Sequence, residues 1–68
     1  MKLPIISGKE LIKILLKKGY CIKDQKGSHI HLRHATKKPI TIPNHKAISK
    51  GTLKEIIKAT ELTQEDFE

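Results

Sequence analysis

The stretch Ser28-His29-Ile30-His31-Leu32-Arg33-His34 decides the fold. Its polar and apolar side chains alternate with a period of two, which sends Ile30 and Leu32 to one face of a strand and His29, His31 and Arg33 to the other. Gly27, immediately upstream, marks a turn. The run before it has the same period, with Tyr20 and Ile22 pointing one way and Cys21, Lys23 and Gln25 the other, as in a strand that buries a single face. Downstream, Ala35 to Lys38 forms a second turn. Pro39-Ile40-Thr41-Ile42-Pro43 then makes a short third strand whose bracketing prolines stop its ladder from extending.

Helical signals flank these strands. Ser7 followed three residues later by Glu10 has the form of a capping box, so a helix is predicted over residues 8 to 18. Leu11, Ile12, Ile14, Leu15 and Leu16 supply its apolar face, Lys9, Lys13 and Lys17 a basic stripe, and Gly19 a left-handed end. After a connection from Asn44 to Lys50, Leu53, Ile56 and Ile57 mark the buried stripe of a second helix, capped by Ser49 or Thr52, with Lys50, Lys54 and Lys58 on its wet side. The tail from Thr63 to Glu68 adds a short capped turn that docks Phe67 on the core. Connections this short favour an antiparallel meander. The expected class is therefore α+β in α-β-β-β-α order, a three-stranded antiparallel sheet with both helices on one face, in a single domain spanning residues 1–68.

Composition narrows the function. The chain is 37% hydrophobic and 31% charged, which suits a globular domain, yet only Tyr20 and Phe67 are aromatic, so the core must be built from Ile and Leu. So few aromatics argue against a deep aromatic pocket for a cofactor, and no cofactor is called for. Cys21 stands alone and cannot form an internal disulfide. Lysines interrupt the apolar residues near the N-terminus, so no signal-peptide pattern or membrane span is read and the cytoplasm is the expected compartment.

Charge gives the first positive clue, with a net of +7 and a pI near 9.8. All fourteen Lys and Arg lie within residues 1–58 against only Glu10, Asp24 and Glu55, whereas Glu61, Glu65, Asp66 and Glu68 crowd the last ten positions. So basic a body attracts a polyanion, and the commonest one in a cytoplasm is nucleic acid; the plainer reading is that the lysines keep a small domain soluble.

The bare sheet face carries His29, His31 and Arg33 amid these lysines, and RNA cleavage can use that set. A base must take the 2′-hydroxyl proton, an acid must protonate the leaving oxygen, and cations must offset charge on the phosphoryl group. Imidazole, with an unperturbed pKa of about 6.5, suits either proton role, and no metal is needed. Two alternatives stand beside this. Histidines on an exposed strand face are ordinarily just solvated; and His29 with His31, completed by His34 or His45, could ligate a metal ion. Against the metal, no Cys or carboxylate close in sequence completes the shell, and nearby lysines repel cations.

Lys26-Gly27-Ser28-His29 adds a further line of inference. With Leu3-Pro4 to Leu11 leading the first helix, Gly19-Tyr20, Ile42-Pro43 with His45, Lys50-Gly51-Thr52-Leu53 and the closing Leu62-Thr63, Glu65 and Phe67, the chain resembles the HicA (YcfA-like) family of toxin mRNA interferases. The resemblance implies a double-stranded-RNA-binding-domain-like fold, ribosome-independent cleavage of mRNA, and neutralisation by a HicB-type antitoxin that covers the active site. It makes His29, which matches the family's motif histidine, catalytic as general base or acid. His31, His34 and His45 become possible helpers, and Lys9, Lys13, Lys17, Lys26, Ser28, His31, Arg33 and Lys50 the expected RNA contacts. The competing reading is a non-catalytic module that binds duplex RNA by shape. Where the family commonly has Gly after its second helix, this chain has Glu61, a departure that concerns the helix end and not the catalytic site.

Overall fold

In the computed structural model, which describes residues 3–68, the elements run α1 (Gly8–Lys17), β1 (Cys21–Lys26), β2 (His29–Arg33), β3 (Ile40–Pro43), α2 (Lys50–Thr60) and a closing 3-10 turn, Gln64–Phe67. The first two residues of the expected 1–68 domain lie outside the described residues. The strands form one antiparallel sheet in the order β1-β2-β3. This is the expected α+β arrangement. Ile30, Leu32 and Ile42 share one buried cluster with Leu11, Ile12 and Leu15 of α1 and Leu53 and Ile56 of α2, so both helices cover the same sheet face. Ile6, Tyr20, Ile48 and Leu62 close its margins, and Phe67 packs against it from the tail. Among the described residues no helix is long and apolar enough to cross a membrane.

Local chemistry explains each element end. Ser7 accepts from the Glu10 amide at 3.1 Å while the Glu10 carboxylate accepts from the Ser7 amide at 3.2 Å, completing the capping box. Gly19, at φ +95°, reverses the chain after α1. Lys26 and His29 are strand partners, so the hairpin turn is only Gly27-Ser28, with Gly27 at φ +59° in its first central position. That is the place where a two-residue turn of the II′ type requires glycine. Ser49 caps α2 by accepting from the Thr52 amide.

Three expectations about the strands and first helix are corrected. The β1–β2 register slips between Ile22 and Asp24, leaving Lys23 as an extra residue. Past this bulge the phase inverts: Asp24 pairs with His31 on the open face and Gln25 pairs with Ile30 on the helix side. Gln25 therefore does not share the open face with Cys21. Ile22 sits opposite buried Leu32 yet remains 53% exposed, because β1 is an edge strand that the helices do not reach across. Leu16 is likewise 43% exposed, lying at the shoulder of the α1 stripe.

Glu61 occupies the left-handed cap of α2 at φ 60°, ψ 30°, donating its amide to the Ile57 carbonyl. The site is one a glycine enters without strain, whereas a β-carbon costs roughly 1 kcal/mol. The compensating pair with Lys37, 3.4 Å away on a largely exposed carboxylate, contributes at most a few tenths of that. Glu61→Gly should thus stabilise the fold by about 0.5–1 kcal/mol, seen as a thermal midpoint raised by roughly 4 °C; an unchanged or lowered midpoint would show that the Lys37 pair outweighs the backbone strain.

Candidate active site

His29 is the first residue of β2 and is exposed on the open face. The II′-type turn delivers it there: Gly27-Ser28 returns the chain with no residue to spare, which sets His29 opposite Lys26 on one side and Pro43 on the other. Beyond Pro43 the chain enters the Asn44–Ser49 connection, and this brings His45 toward the same spot. His29, Thr41, Pro43, His45, Ala47, Ser49 and Thr52 line one open depression of about 530 Å³.

Three backbone hydrogen bonds hold that connection. Asn44 donates to the Ser28 carbonyl at 2.6 Å, tying it to the turn that presents His29; Gly8 donates to the His45 carbonyl at 2.9 Å; and Ile48 donates to the Ile6 carbonyl at 2.9 Å. A side chain at Gly8 would drive into the Pro43 carbonyl oxygen, so the start of α1 sits directly on the backbone next to His45. The N-terminus of α2 supplies the remaining wall. Its first turn contains no acidic residue, unlike that of α1, leaving the amide dipoles and the Ser49 and Thr52 hydroxyls beside the two imidazoles.

The other histidines are committed elsewhere. His31 Nδ1 donates to Asp24 at 2.5 Å, and this bond, reinforced by the imidazole charge and by Lys23 and Lys26, holds the Asp24 carboxyl below the usual carboxylate range. His34 lies at the far end of β2. Its Nδ1 accepts from the Thr36 and Lys37 amides, its Nε2 donates to the Lys18 carbonyl, and its ring stands 4.7 Å from that of Tyr20. It is a structural linker and no helper of His29. The Tyr20 hydroxyl is buried without a partner among the described residues, and burial, with Glu61 nearby, raises its pKa.

The expected RNA contacts divide by place. Lys26 and Ser28 flank His29, Lys50 opens α2 beside the depression, and Lys9 lines an adjoining hollow with Ser7, Asn44, His45 and Lys46. Lys13 and Lys17 continue up the exposed side of α1, and Arg33 sits four strand residues from His29 beside Lys23, His34 and Pro39. The structure does not bring those three to His29. It does bring Gly8, Ser49 and Thr52 there, residues read from sequence only as helix starts or passed over. Asp24 was equally hidden, since only the bulge moves it next to His31. No cluster of three potential metal ligands occurs among the described residues.

Fold and site together define a small basic α+β protein whose exposed His29 stands in an open depression beside the N-terminus of its second helix. The chain belongs to the HicA toxin family of bacterial toxin-antitoxin systems, whose family model matches residues 8–62. Membership implies an antitoxin partner. No curated protein matches the chain.

Two results are expected from this geometry. Gly8→Ala should destabilise by about 1–3 kcal/mol in urea denaturation, because the backbone it meets cannot rotate aside as a side chain would. The carboxyls of Asp24 and of Asp66, the latter bonded first by Lys18 at 2.9 Å, are lowered, so each contributes stability above the ordinary carboxylate pKa near 3.8 that is lost as pH falls through the lower folded value. Asp24→Asn and Asp66→Asn should each flatten the loss of stability between neutral and strongly acid pH, and a slope identical to the native protein's would refute the assignment.

Proposed function

We propose that the protein is an endoribonuclease, the toxin of a HicA/HicB-type pair, that cleaves mRNA without the ribosome and without metal, acting as a single domain over residues 1–68. The observation that carries this reading is His29, exposed at the start of β2 and lining one depression with His45; the resemblance of Gly27-Ser28-His29 to the family's signature supports it. One imidazole takes the proton from a 2′-hydroxyl as its oxygen attacks the adjacent phosphorus. The other gives a proton to the departing 5′-oxygen, leaving a 2′,3′-cyclic phosphate and a 5′-hydroxyl. His29 holds one of these roles and His45 is placed for the other.

Electrostatics supports the same seat. A phosphate at the foot of α2 meets the positive end of the helix dipole, with Lys26 opposite His29, Lys50 at the start of the helix and Lys9 in the adjoining hollow to offset its charge. Ser28, in the turn before His29, offers a hydroxyl to the same strand. His31 and Arg33 stand along the open face as further contacts. With so few aromatic side chains, base stacking is weak and base selectivity low. A HicB-type antitoxin that covers the depression fits a toxin of this design. A cytoplasmic setting follows from the substrate.

Incubation of single-stranded RNA with the native protein in EDTA should give cleavage, while His29→Ala lowers the rate by about 10²–10⁴ with its melting curve unchanged, since an exposed strand position tolerates truncation. His45→Ala should slow cleavage by a smaller factor. Intact RNA accompanied by tight duplex binding would instead favour the non-catalytic module; a fully active His29→Ala protein would falsify the site.

A further inference from the structure

The His29 depression does not end at α2. Thr41 and Thr52 line both it and a second hollow with Ile40, Glu55, Ile56 and Ala59, between α2 and the free edge of β3. Glu55 and Ala59 in turn line a third, about 600 Å³ in volume, with Thr36, Lys37, Lys38 and Lys58. Through these shared lining residues the three hollows follow one another along α2, from the imidazoles at its N-terminal end to a group of lysines at its C-terminal end. Between Lys50 and Ala59 the helix advances about 14 Å, the length of roughly four stacked nucleotides.

Lys37 is already engaged at that far end: its Nζ donates to the Thr60 carbonyl at 3.0 Å and pairs with Glu61, which pins the 34–39 connection to the end of α2. Lys38 and Lys58 are exposed and have no ion pair among the described residues. They present two positive charges outside any ion pair in the hollow that Glu55 borders on its near side. Between the two ends stands a single carboxylate, Glu55. A phosphate cannot rest against it, but a base can, because a carboxylate accepts from the exocyclic amino groups that cytosine, adenine and guanine carry and uracil lacks.

We infer that these hollows form one groove, the track of the RNA strand: the scissile phosphate lies at His29, the following nucleotides run between β3 and α2 with a base against Glu55, and the next phosphates are held by Lys38 and Lys58. The inference rests on the ribonuclease reading but is separable from it. It assigns strand binding to the α2 side of the molecule, leaving the Lys13 and Lys17 stripe of α1 as a solvated face.

The test uses the native protein, a Lys38→Gln/Lys58→Gln variant and a Lys13→Gln/Lys17→Gln variant. Binding of a 2′-O-methyl strand, which lacks the attacking hydroxyl, is followed by fluorescence anisotropy against salt, so the readout survives even if the protein proves not to cleave. The groove variant should bind several-fold more weakly and lose roughly 0.7 of salt slope per lysine, whereas the α1 variant binds like the native protein. Where cleavage is measured, the groove variant should raise KM for a strand long enough to fill the groove and leave dinucleotide cleavage unchanged. Glu55→Gln should alter the preference between cytosine and uracil at one position downstream of the cut. Unchanged binding by the groove variant, or a loss confined to the α1 variant, overturns the inference and leaves the β3 edge free for an added strand from a protein partner.

Discussion

The contact on which the molecule depends most is that between Gly8 and the Pro43–Asn44 backbone. It is a place with no room for a β-carbon, and there the first turn of α1, the end of β3 and the connection to α2 meet. From it follow the two bonds that clamp the connection, Gly8 to His45 and Ile48 to Ile6, while Asn44 reaches across to Ser28. A domain of this size has few fully buried side chains to fix its geometry, chiefly Leu11, Leu15, Leu32, Ile42 and Leu53. Backbone pairing at the rim does what a larger core does elsewhere: it holds two segments far apart in sequence in one relative position.

How far the sequence discloses this depends on the range of the interaction. The capping box, the glycine turns and the alternation of Ile30 and Leu32 are decided within a few residues of one another, and these are the features that could be read directly. Glu61 is a finer case. Glycine is usual at its position, and the chain adopts the left-handed conformation with Glu61 all the same, carrying the clash of its β-carbon with its own backbone as a local cost. What could not be read is long-range. Nothing near Lys23 announces a bulge, yet the bulge alone decides that Asp24 meets His31. Nothing near His45 announces that it shares a depression with His29, since the bonds that bring it there come from residues 8 and 28.

The histidines illustrate the same division. Four lie between residues 29 and 45, and by type they are equivalent candidates. Their partners sort them. His34 is locked by amides and a carbonyl, His31 is paired with a carboxylate, and only His29 and His45 face open space without a protein partner among the described residues. Both ring nitrogens of His34 are engaged, so a proton transfer there must first break an existing bond; His31 is bonded only through Nδ1, and what separates it from His29 and His45 is that it does not line their depression. Geometry, and not residue type, therefore singles out the pair.

The location of that pair at the ends of elements has a physical basis. His29 begins a strand, His45 lies in a connection and Ser49 caps a helix, so none of them contributes to the buried cluster. A protein with so little core cannot give up interior positions to polar chemistry without losing a large part of a stability that is small to begin with. Keeping His29 and His45 at the rim separates the two demands: the sheet and helices carry the folding energy on one face, and the depression with its two imidazoles stays outside that task. On the proposed function, the same separation leaves the depression open on its solvent side, which would suit a long polymeric substrate and equally a partner protein that covers it. Both occupants would compete for one surface, and a toxin whose site lay in a deep cavity could not be blocked so simply.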